Sequence, residues 1–224
     1  MTGAPAPSRR PAGGLFVTFE GVEGCGKSTH LRRLAGTLRA AGYDIVETRE
    51  PGGTELGRAL RALLLAPSSA PPTPLAELLL YCADRAQHVA SVIRPALAAG
   101  QVVLCDRFSD STISYQGYGR GLDLDLVRTL DARARDGLEP SLTVLLECPV
   151  ADGLARARGR TGETDRFERE TLAFHEAVRR GFQALAAGAP ARYRMVDSSR
   201  PTELVARDVA AAVRAALAAR EAEA

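Results

Sequence analysis

The stretch "FEGVEGCGKSTHL", residues 19–31, decides the fold that the sequence predicts. Residues 21–28 within it fit the pattern GxxxxGK(S/T), which follows an apolar run and opens a segment with helical spacing. Small residues let the backbone curl until its N–H groups point inward at phosphate oxygens, and the following helix adds the positive end of its dipole. The stretch therefore predicts a phosphate-binding loop (P-loop) between a buried strand and a helix.

The placement of lysine supports this interpretation. Lys27 is the only lysine among the 29 basic residues of the chain. Its compact ammonium group fits the outer phosphates of a nucleotide more readily than a planar guanidinium does. A glycine-rich turn that only caps a helix is the alternative, but the spacing, the strand, the helix and the lysine all favour a nucleotide site. The motif assigns the Mg²⁺ ligand to Ser28 rather than to Thr29. The predicted phosphate-binding residues are Gly21, Val22, Glu23, Gly24, Cys25, Gly26, Lys27, Ser28 and Thr29.

Length and composition limit the possible architectures and partners. The chain has 224 residues, 46% of them hydrophobic and 25% charged, which is typical of one globular domain with a sizeable core. The net charge of +2 does not indicate a general attraction to nucleic acid or to a membrane surface. No apolar run is long enough to span a bilayer. We therefore expect neither a nucleic-acid nor a membrane partner.

The N-terminal stretch and the cysteines bear on order and compartment. Residues 1–14, "MTGAPAPSRRPAGG", are rich in Pro, Ala and Gly and lack the apolar block of a secretory signal, so we expect a disordered tail. The cysteines have no CxxC spacing and lie in or beside apolar segments, which favours reduced thiols in a cytoplasmic protein. They are Cys25, Cys82, Cys105 and Cys148.

Five short apolar segments are predicted to form buried strands. They cover residues 15–21, 43–48, 101–106, 142–147 and 193–197. Nearly continuous apolar runs suit strands that are covered on both faces. Because segments with helical spacing separate them, the pattern predicts an α/β fold with a parallel sheet and helices on both faces. Residues 15–224 are thus expected to form a single domain.

Two segments between the strands have features of their own. Residues 73–100 predict a long helix that Pro95 bends or splits. Residues 158–166, "RGRTGETDR", break the helical spacing and predict a mobile loop. The three arginines before and within that loop either form a solvated basic face or close over a phosphoryl group during transfer. They are Arg156, Arg158 and Arg160.

Three charged residues are expected near the P-loop. Glu23 lies in a loop built for anions, so its carboxylate should point away from phosphate, toward a second substrate or toward solvent. Asp106 and Arg107 follow a buried strand, at the edge where open α/β sheets bind ligands. There the aspartate can order Mg²⁺ and the arginine can grip a phosphate, unless the two form only a strand-end ion pair.

Taken together, five motifs resemble bacterial thymidylate kinase, in the same order. They are "EGVEGCGKST", "TREPGGT" (48–54), "YCADRAQHV" (81–89), "DRFSDSTISYQGYGRG" (106–121) and "RARGRTGETDRFE" (156–168). The resemblance implies transfer of the ATP γ-phosphoryl group to dTMP with Mg²⁺, giving dTDP and ADP. It also implies the three-layer P-loop kinase fold with a five-stranded parallel sheet, a mobile lid at about residues 155–166, and a homodimer.

The resemblance also implies individual roles for the acceptor site. Glu23 would touch the sugar 3′-hydroxyl, and Arg107 would hold the acceptor phosphate. Tyr81 would stack on thymine, and Arg85 would bond a base carbonyl unless it pairs with Asp84 or Glu77. The complete dTMP set is Glu23, Arg49, Pro51, Tyr81, Arg85, Arg107, Ser111, Thr112, Tyr115 and Gln116. Tyr81 and Tyr115 could also be plain core or rim aromatics.

Family members divide by the position of the catalytic arginine, which lies either in the P-loop or in the lid. The variable P-loop positions contain no basic residue here, so the chain resembles the lid-arginine type. The expected catalytic residues are Lys27, Arg107, Arg158, Arg160 and Glu23, and the expected metal ligands are Ser28 and Asp106, the latter through water if not directly. The histidines His30, His88 and His175 are expected on helix surfaces without a chemical role.

Overall fold

One parallel sheet with the strand order β2-β3-β1-β4-β5 organises the chain. The structure is a computed structural model that describes residues 9–68, 70–161 and 166–222, without the side chains of residues 160 and 161. The strands are β1 Leu15–Glu20, β2 Ile45–Arg49, β3 Val102–Asp106, β4 Leu142–Glu147 and β5 Tyr193–Asp197. All five predicted strands are thus confirmed, and each lies within two residues of its predicted bounds.

Helices cover both faces of this sheet. The helices are α1 Lys27–Ala40, α2 Glu55–Leu65, α3 Pro74–His88, α4 Arg94–Ala98, α5 Ser109–Thr112, α6 Leu124–Ala134, α7 Val150–Thr161, α8 Leu172–Gly188 and α9 Thr202–Ala222. Leu15, Val17 and Phe19 of β1 pack in the core that α1 and α9 share, whereas Phe16 packs in a second core with Val89, Ile93 and Ala96. Alternate side chains of one strand therefore enter opposite layers, as a sheet buried on both faces requires.

Residues 73–100 do not form one continuous α-helix. Helix α3 passes into a π-helical turn at Val89–Ile93, and α4 follows. Pro95 lies in the first turn of α4, directly after this π-helical turn, and has no N–H to donate to a preceding carbonyl. A second π-helical segment, Ile113–Gly119, carries Tyr115 and Gln116. Such segments are frequent at functional sites, and this one lies beside the cleft described below.

Hydroxyl and carboxylate side chains cap several helices. Thr54 accepts a hydrogen bond from Gly57 N at the start of α2, and Thr73 accepts from Ala76 N at the start of α3. Asp123 caps α6 in the same way. A cap of this kind stabilises a helix by about 1 kcal/mol. The cap on α2 comes from Thr54, the last residue of the "TREPGGT" stretch, and fixes where α2 begins after it.

Part of the predicted N-terminal tail packs on the domain. The Arg9 backbone N–H donates to Gly42 O at 2.7 Å, Arg9 forms a β-bridge with Tyr43, and Pro11 is buried. The composition of residues 1–14 did not predict these contacts, and residues 1–8 lie outside the described part of the chain.

The prediction of surface histidines was wrong. His30, His88 and His175 are all buried. His88 lies between Glu50 Oε1 at 2.8 Å and Thr48 Oγ1 at 2.6 Å, and Nε2 of His175 lies 3.0 Å from the carbonyl oxygen of Phe167. These hydrogen bonds satisfy ring nitrogens on helix faces that the sequence alone did not identify as buried.

The cysteines behave as expected, because all four are free and buried. None of the described helices combines the length and apolar character needed to cross a membrane.

Candidate active site

The sheet order places the two predicted phosphate-binding elements side by side. Strand β1 ends in the P-loop, β3 ends at Asp106, and these strands are direct neighbours in which Phe19 pairs with Asp106. The Arg107 backbone N–H donates to Phe19 O at 3.0 Å, which ties the turn after β3 to the strand that enters the P-loop. The carboxyl edge of the sheet therefore carries both elements, as ligand sites of open α/β sheets do.

Glycines give the P-loop its curvature. Gly21, Gly24 and Gly26 have φ values of 133°, 68° and 91°, which residues with a Cβ rarely adopt. Gly26 is the residue immediately before α1, so the positive end of the helix dipole faces the loop. A β-carbon on Gly24 would lie 1.8 Å from the carbonyl oxygen of Gly153 in α7. The loop and the start of α7 therefore touch backbone to backbone.

Lys27 folds back over this loop. Its Nζ donates to the carbonyl oxygens of Gly21 at 3.0 Å and Val22 at 2.7 Å, and its side chain is largely buried. These carbonyls hold the ammonium beside the concave face of the loop, where the phosphate groups of a nucleotide would lie. The position agrees with the role that the motif predicts for it.

A cleft of about 410 Å³ opens next to the P-loop. All ten residues predicted for the acceptor site line it, although they come from four separate stretches of the chain. Five P-loop residues, Glu23, Gly24, Gly26, Lys27 and Ser28, also reach it, whereas Gly21, Val22, Cys25 and Thr29 are not on its wall. The structure thus brings the predicted donor and acceptor sites into one continuous space.

Arg107 and Glu23 form the centre of the cleft wall. Arg107 donates to Glu23 Oε2 at 2.8 Å and to Gly21 O at 3.1 Å, and its guanidinium carbon lies 4.9 Å from the centre of the Tyr115 ring. The Tyr115 hydroxyl also donates to Glu23. Burial opposes ionisation of Glu23, but the charges of Arg107 and Lys27 outweigh it and lower its pKa. Glu23 is therefore an ionised acceptor that turns away from the P-loop interior.

Three guanidinium groups meet in the same space. Arg61 of α2 lines the cleft with Arg49 and Arg107 and donates to Pro51 O at 3.0 Å. Burial and the positive charges of Arg49 and Arg107 lower the pKa of Arg61. Convergence of like charges is unfavourable unless an anion binds between them, so this geometry fits a phosphate group. Arg61 was not predicted as a site residue. It lies four residues after Gly57 and three before Leu64, which are both buried, and this spacing places it on the inner face of α2.

Arg85 lies behind the cleft in a buried ion-pair network. It pairs with Glu50 at 2.9 Å and with Asp131 at 2.6 Å, and only 1% of its side chain is exposed. The alternative partners suggested by the sequence, Asp84 and Glu77, are not the ones it pairs with. Glu50 and Asp131 contact all three nitrogens of this guanidinium, whose five N–H groups exceed those contacts, and Arg85 also lines the cleft. Glu50 and Asp131 could not be identified as its partners from spacing, because they lie on other elements.

Aromatic rings form one wall of the acceptor space. The ring centroid of Phe167 lies 6.4 Å from that of Tyr81 and 5.7 Å from that of Tyr115. Tyr115 also packs against Phe174 and Phe182 of α8, so its ring is held in place and it is not a mobile rim residue. Phe167 was not predicted as a site residue, although the "DRFE" part of its motif was noted.

A buried carboxyl group, that of Glu20, positions a polar side chain on the cleft wall. Ser111 accepts a hydrogen bond from Arg107 at 3.1 Å and donates to Glu20 at 2.6 Å. Thr112 Oγ1 is buried and has no hydrogen-bond partner among the described residues. Such an unpaired hydroxyl on a cleft wall is available to a ligand.

The residues predicted to bind metal also lie together. The Ser28 hydroxyl at the start of α1 donates to Asp106 Oδ2 at the end of β3, and both residues line the cleft. A hydroxyl and a carboxylate beside a phosphate site are the hard oxygen ligands that suit Mg²⁺, which keeps several of its waters. The pair therefore fits the predicted metal.

Of the predicted lid arginines, Arg156 and Arg158 do not line the cleft in this structure. Arg158 is exposed on α7, whose Ala157 lines the cleft, and Arg156 donates to Ser198 O at 3.1 Å. The side chain of Arg160 and residues 162–165 lie outside the described part of the chain.

The fold and the site define an α/β P-loop phosphotransferase of the nucleoside monophosphate kinase class. A sequence model of the family "Thymidylate kinase" matches residues 19–209. Thymidylate kinase from Geobacter sulfurreducens is 54% identical over 202 residues, which cover 88% of this chain and 95% of that protein. Thymidylate kinase from Solidesulfovibrio magneticus is 56% identical over 201 residues, covering 87% and 96%.

A solved structure leads to the same family. Thymidylate kinase from Ehrlichia chaffeensis has a TM-score of 0.72 and 33% identity, covering 89% of this chain and 98% of that one. The chain therefore belongs to the thymidylate kinase family, which consists of ATP-dependent nucleoside monophosphate kinases. The resemblance, the fold class and the enzyme class predicted from the motifs are confirmed.

Proposed function

We propose that the chain transfers the γ-phosphoryl group of ATP to dTMP within the cleft described above. The observation that carries the proposal is the meeting of the P-loop with the guanidinium groups of Arg49, Arg61 and Arg107 in one space. A donor triphosphate on the P-loop and an acceptor monophosphate among the arginines would face each other in that space.

The acceptor residues would divide by chemistry. Arg107 binds the acceptor phosphate with Arg49 and Arg61 near it, and Glu23 accepts a hydrogen bond from the sugar 3′-hydroxyl. Pro51 lines the acceptor cleft, and Ser111 completes the pocket. The base lies against Tyr81, with Arg85 and Thr112 as hydrogen-bonding partners, and the held ring of Tyr115 crowds the position of a ribose 2′-hydroxyl.

Phosphoryl transfer requires little covalent chemistry of the protein. The residues must hold two anionic nucleotides in line and offset charge as the phosphoryl group moves. Lys27 contacts the outer phosphates of ATP, and Arg107 fixes the attacking phosphate oxygen. That oxygen is ionised near neutral pH, so the reaction needs no general base.

Magnesium fits the same site. Ser28 and Asp106 would hold Mg²⁺, Asp106 directly or through water. When bound, the ion neutralises charge on the donor phosphates. Arg158 and Arg160, in the lid at about residues 155–166, are assigned to the migrating phosphoryl group as in the lid-arginine type.

An acceptor panel tests the function. Purified protein with ATP and Mg²⁺ is assayed for ADP release against dTMP, dUMP, dCMP, AMP, GMP and thymidine. We expect dTMP to have the highest kcat/KM of the panel. Its value should exceed those of the poorest acceptors by at least about tenfold. Faster turnover of another acceptor would overturn the substrate, and acceptor-independent ATP hydrolysis at an equal rate would indicate an ATP-driven switch.

We also infer a homodimer. Exposed leucines lie on α2, α3 and α6, where α3 packs against both of the other helices. They are Leu56, Leu63, Leu75, Leu79 and Leu126. Single apolar side chains on a surface are normal, but several on adjoining helices indicate an interface. Sedimentation equilibrium should give twice the mass of 23.7 kDa, and Leu79→Arg should shift it toward the monomer.

A cytoplasmic location is part of the proposal. It is supported by the four free, buried cysteines, which suit a reducing compartment. Fractionation of cells that produce the chain should recover it with the cytoplasmic proteins.

A further inference from the structure

A buried carboxylate on α3 organises the wall of the cleft that faces the acceptor base. Oε1 of Glu77 accepts a hydrogen bond from Nε2 of Gln116 at 2.8 Å and another from Nε of Arg120 at 3.1 Å. Its Oε2 accepts from Arg120 at 3.2 Å and from Arg166 at 2.5 Å. Glu77 is fully buried, and it does not itself line the cleft. Its effect on a ligand must therefore act through its partners.

The charges around Glu77 require it to remain an acceptor. The guanidinium groups of Arg120 and Arg166 both face Glu77. Glu170 is the second carboxylate of this cluster and accepts a hydrogen bond from Arg120 at 2.6 Å. An ionised carboxylate flanked by two arginines has no proton to donate. The Gln116 atom that approaches Glu77 must therefore be the carboxamide nitrogen, because only that atom of the carboxamide can donate a hydrogen bond.

This requirement fixes the orientation of the Gln116 carboxamide. With one N–H of Nε2 donated to Glu77, the carboxamide is held in one orientation, and its carbonyl oxygen makes no hydrogen bond to any residue that the structure describes. Gln116 lines the cleft, as does Arg85, which can only donate. The base wall thus presents an acceptor on Gln116 and a donor on Arg85.

We propose that Glu77 is a positioning residue for base selection, because it holds Gln116 with its carbonyl oxygen toward the cleft. The inference rests on the proposed function and deepens it. A thymine or uracil ring has an N3–H donor next to its C4 carbonyl acceptor, which matches this pattern. Cytosine has an N3 acceptor next to an amino donor, so it would meet an acceptor at Gln116 and a donor at Arg85.

The decisive comparison uses two matched variants. Glu77→Gln keeps the shape of the side chain but can donate or accept, so Gln116 becomes free to turn its nitrogen to the base. Glu170→Gln removes the other carboxylate of the same cluster without touching Gln116. The ratio of kcat/KM for dTMP to that for dCMP should fall at least about tenfold in Glu77→Gln and stay within about twofold of wild type in Glu170→Gln. The KM for ATP should change in neither variant.

Two results would overturn the proposal. One is an unchanged dTMP-to-dCMP ratio in folded Glu77→Gln. The other is an equal loss in Glu170→Gln, which would indicate general damage to the cluster.

A measurement on the wild-type protein covers the case in which Glu77→Gln does not fold. The N3-methyl derivative of dTMP lacks the N3–H, so it should compete with dTMP at least about tenfold more weakly than dUMP does. Equal competition would contradict an acceptor oxygen at Gln116. Failure of the wild type to phosphorylate dTMP at all would instead overturn the proposed function, and the two failures are therefore distinguishable.

Discussion

A β-carbon on Gly153 would lie 2.3 Å from the backbone carbonyl oxygen of Glu23, so helix α7 packs directly on the P-loop. Only hydrogen fits on that side of Gly153, because a carbon at that distance would overlap the oxygen. The contact couples the position of α7, which leads into the predicted lid, to the loop that surrounds the donor phosphates. No flexible side chain lies between the two backbones to absorb a displacement.

Gly153→Ala should therefore displace the P-loop and weaken binding of the donor nucleotide. We expect the Kd for ATP to rise about tenfold or more, equivalent to about 1.4 kcal/mol, with a smaller change for dTMP. Isothermal titration with each nucleotide measures both effects. Gly36→Ala on α1 is the control, since a β-carbon there has open space, and it should leave both affinities unchanged. Equal ATP affinity in the two variants would contradict the coupling.

Arg107→Ala should separate acceptor binding from donor binding. Loss of a guanidinium that holds the acceptor phosphate should reduce kcat/KM for dTMP by about 3 kcal/mol, while ATP affinity stays nearly intact. Steady-state kinetics and ATP titration are the measurements.

Two controls accompany this variant. Arg107 has a φ of 69°, so Arg107→Gly, which tolerates that backbone, should fold at least as well as Arg107→Ala and be as inactive. Arg128→Ala, at an exposed pair on α6, should retain full activity. An equal loss of ATP affinity in Arg107→Ala would be inconsistent with the role given to it.

Lys27→Arg tests why the chain has its lysine at this position. The ammonium bonds two loop carbonyls within a largely buried space, and a planar guanidinium cannot adopt the same compact arrangement. We expect the substitution to reduce kcat/KM for ATP at least about a hundredfold, with the KM for dTMP changed much less. Retention of normal ATP kinetics would show that positive charge alone suffices.

Glu20 gives the stability of the protein a dependence on pH. Burial, with a further contribution from the negative charge of Asp110, raises the pKa of Glu20 from 4.5 to about 8. Between these values the unfolded chain releases this proton while the folded chain keeps it, so the stability contributed by Glu20 falls as pH rises through the window. Below pH 4.5 both states hold the proton, and above pH 8 neither does, so the contribution is constant outside the window.

Glu20→Gln removes this titration. The free energy of unfolding of the variant minus that of the wild type should therefore become more positive from pH 5 to pH 8, as measured by urea unfolding. Glu139→Gln is the control, since this carboxylate is exposed and pairs with Arg135 at the surface. A difference that is flat with pH for Glu20→Gln would disprove a raised pKa.

The sequence predicted those parts of the fold and site that depend on local order along the chain. Buried parallel strands appear as continuous apolar runs, so all five were located, and the P-loop is contiguous. Motif resemblance extended this to Arg107, Tyr81 and the other acceptor residues, which are separated in the chain and line one cleft.

Groups whose role depends on distant partners could not be predicted in this way. In the sequence, Glu77 has no feature that distinguishes it from other helix residues. Only the structure shows that Gln116, Arg120 and Arg166 converge on it. The buried histidines were missed for the same reason, since the partners of His88 come from another element. Burial of a polar side chain depends on tertiary packing, which spacing within one helix does not record.

The central position of β1 affects the order in which the protein can become functional during synthesis. The P-loop motif leaves the ribosome early, but β1 is held between β3, at Val102–Asp106, and β4, at Leu142–Glu147. A nascent chain that ends before these strands has the complete motif and no sheet to support it. The P-loop therefore gains the support of both neighbouring strands only after β4 has been made.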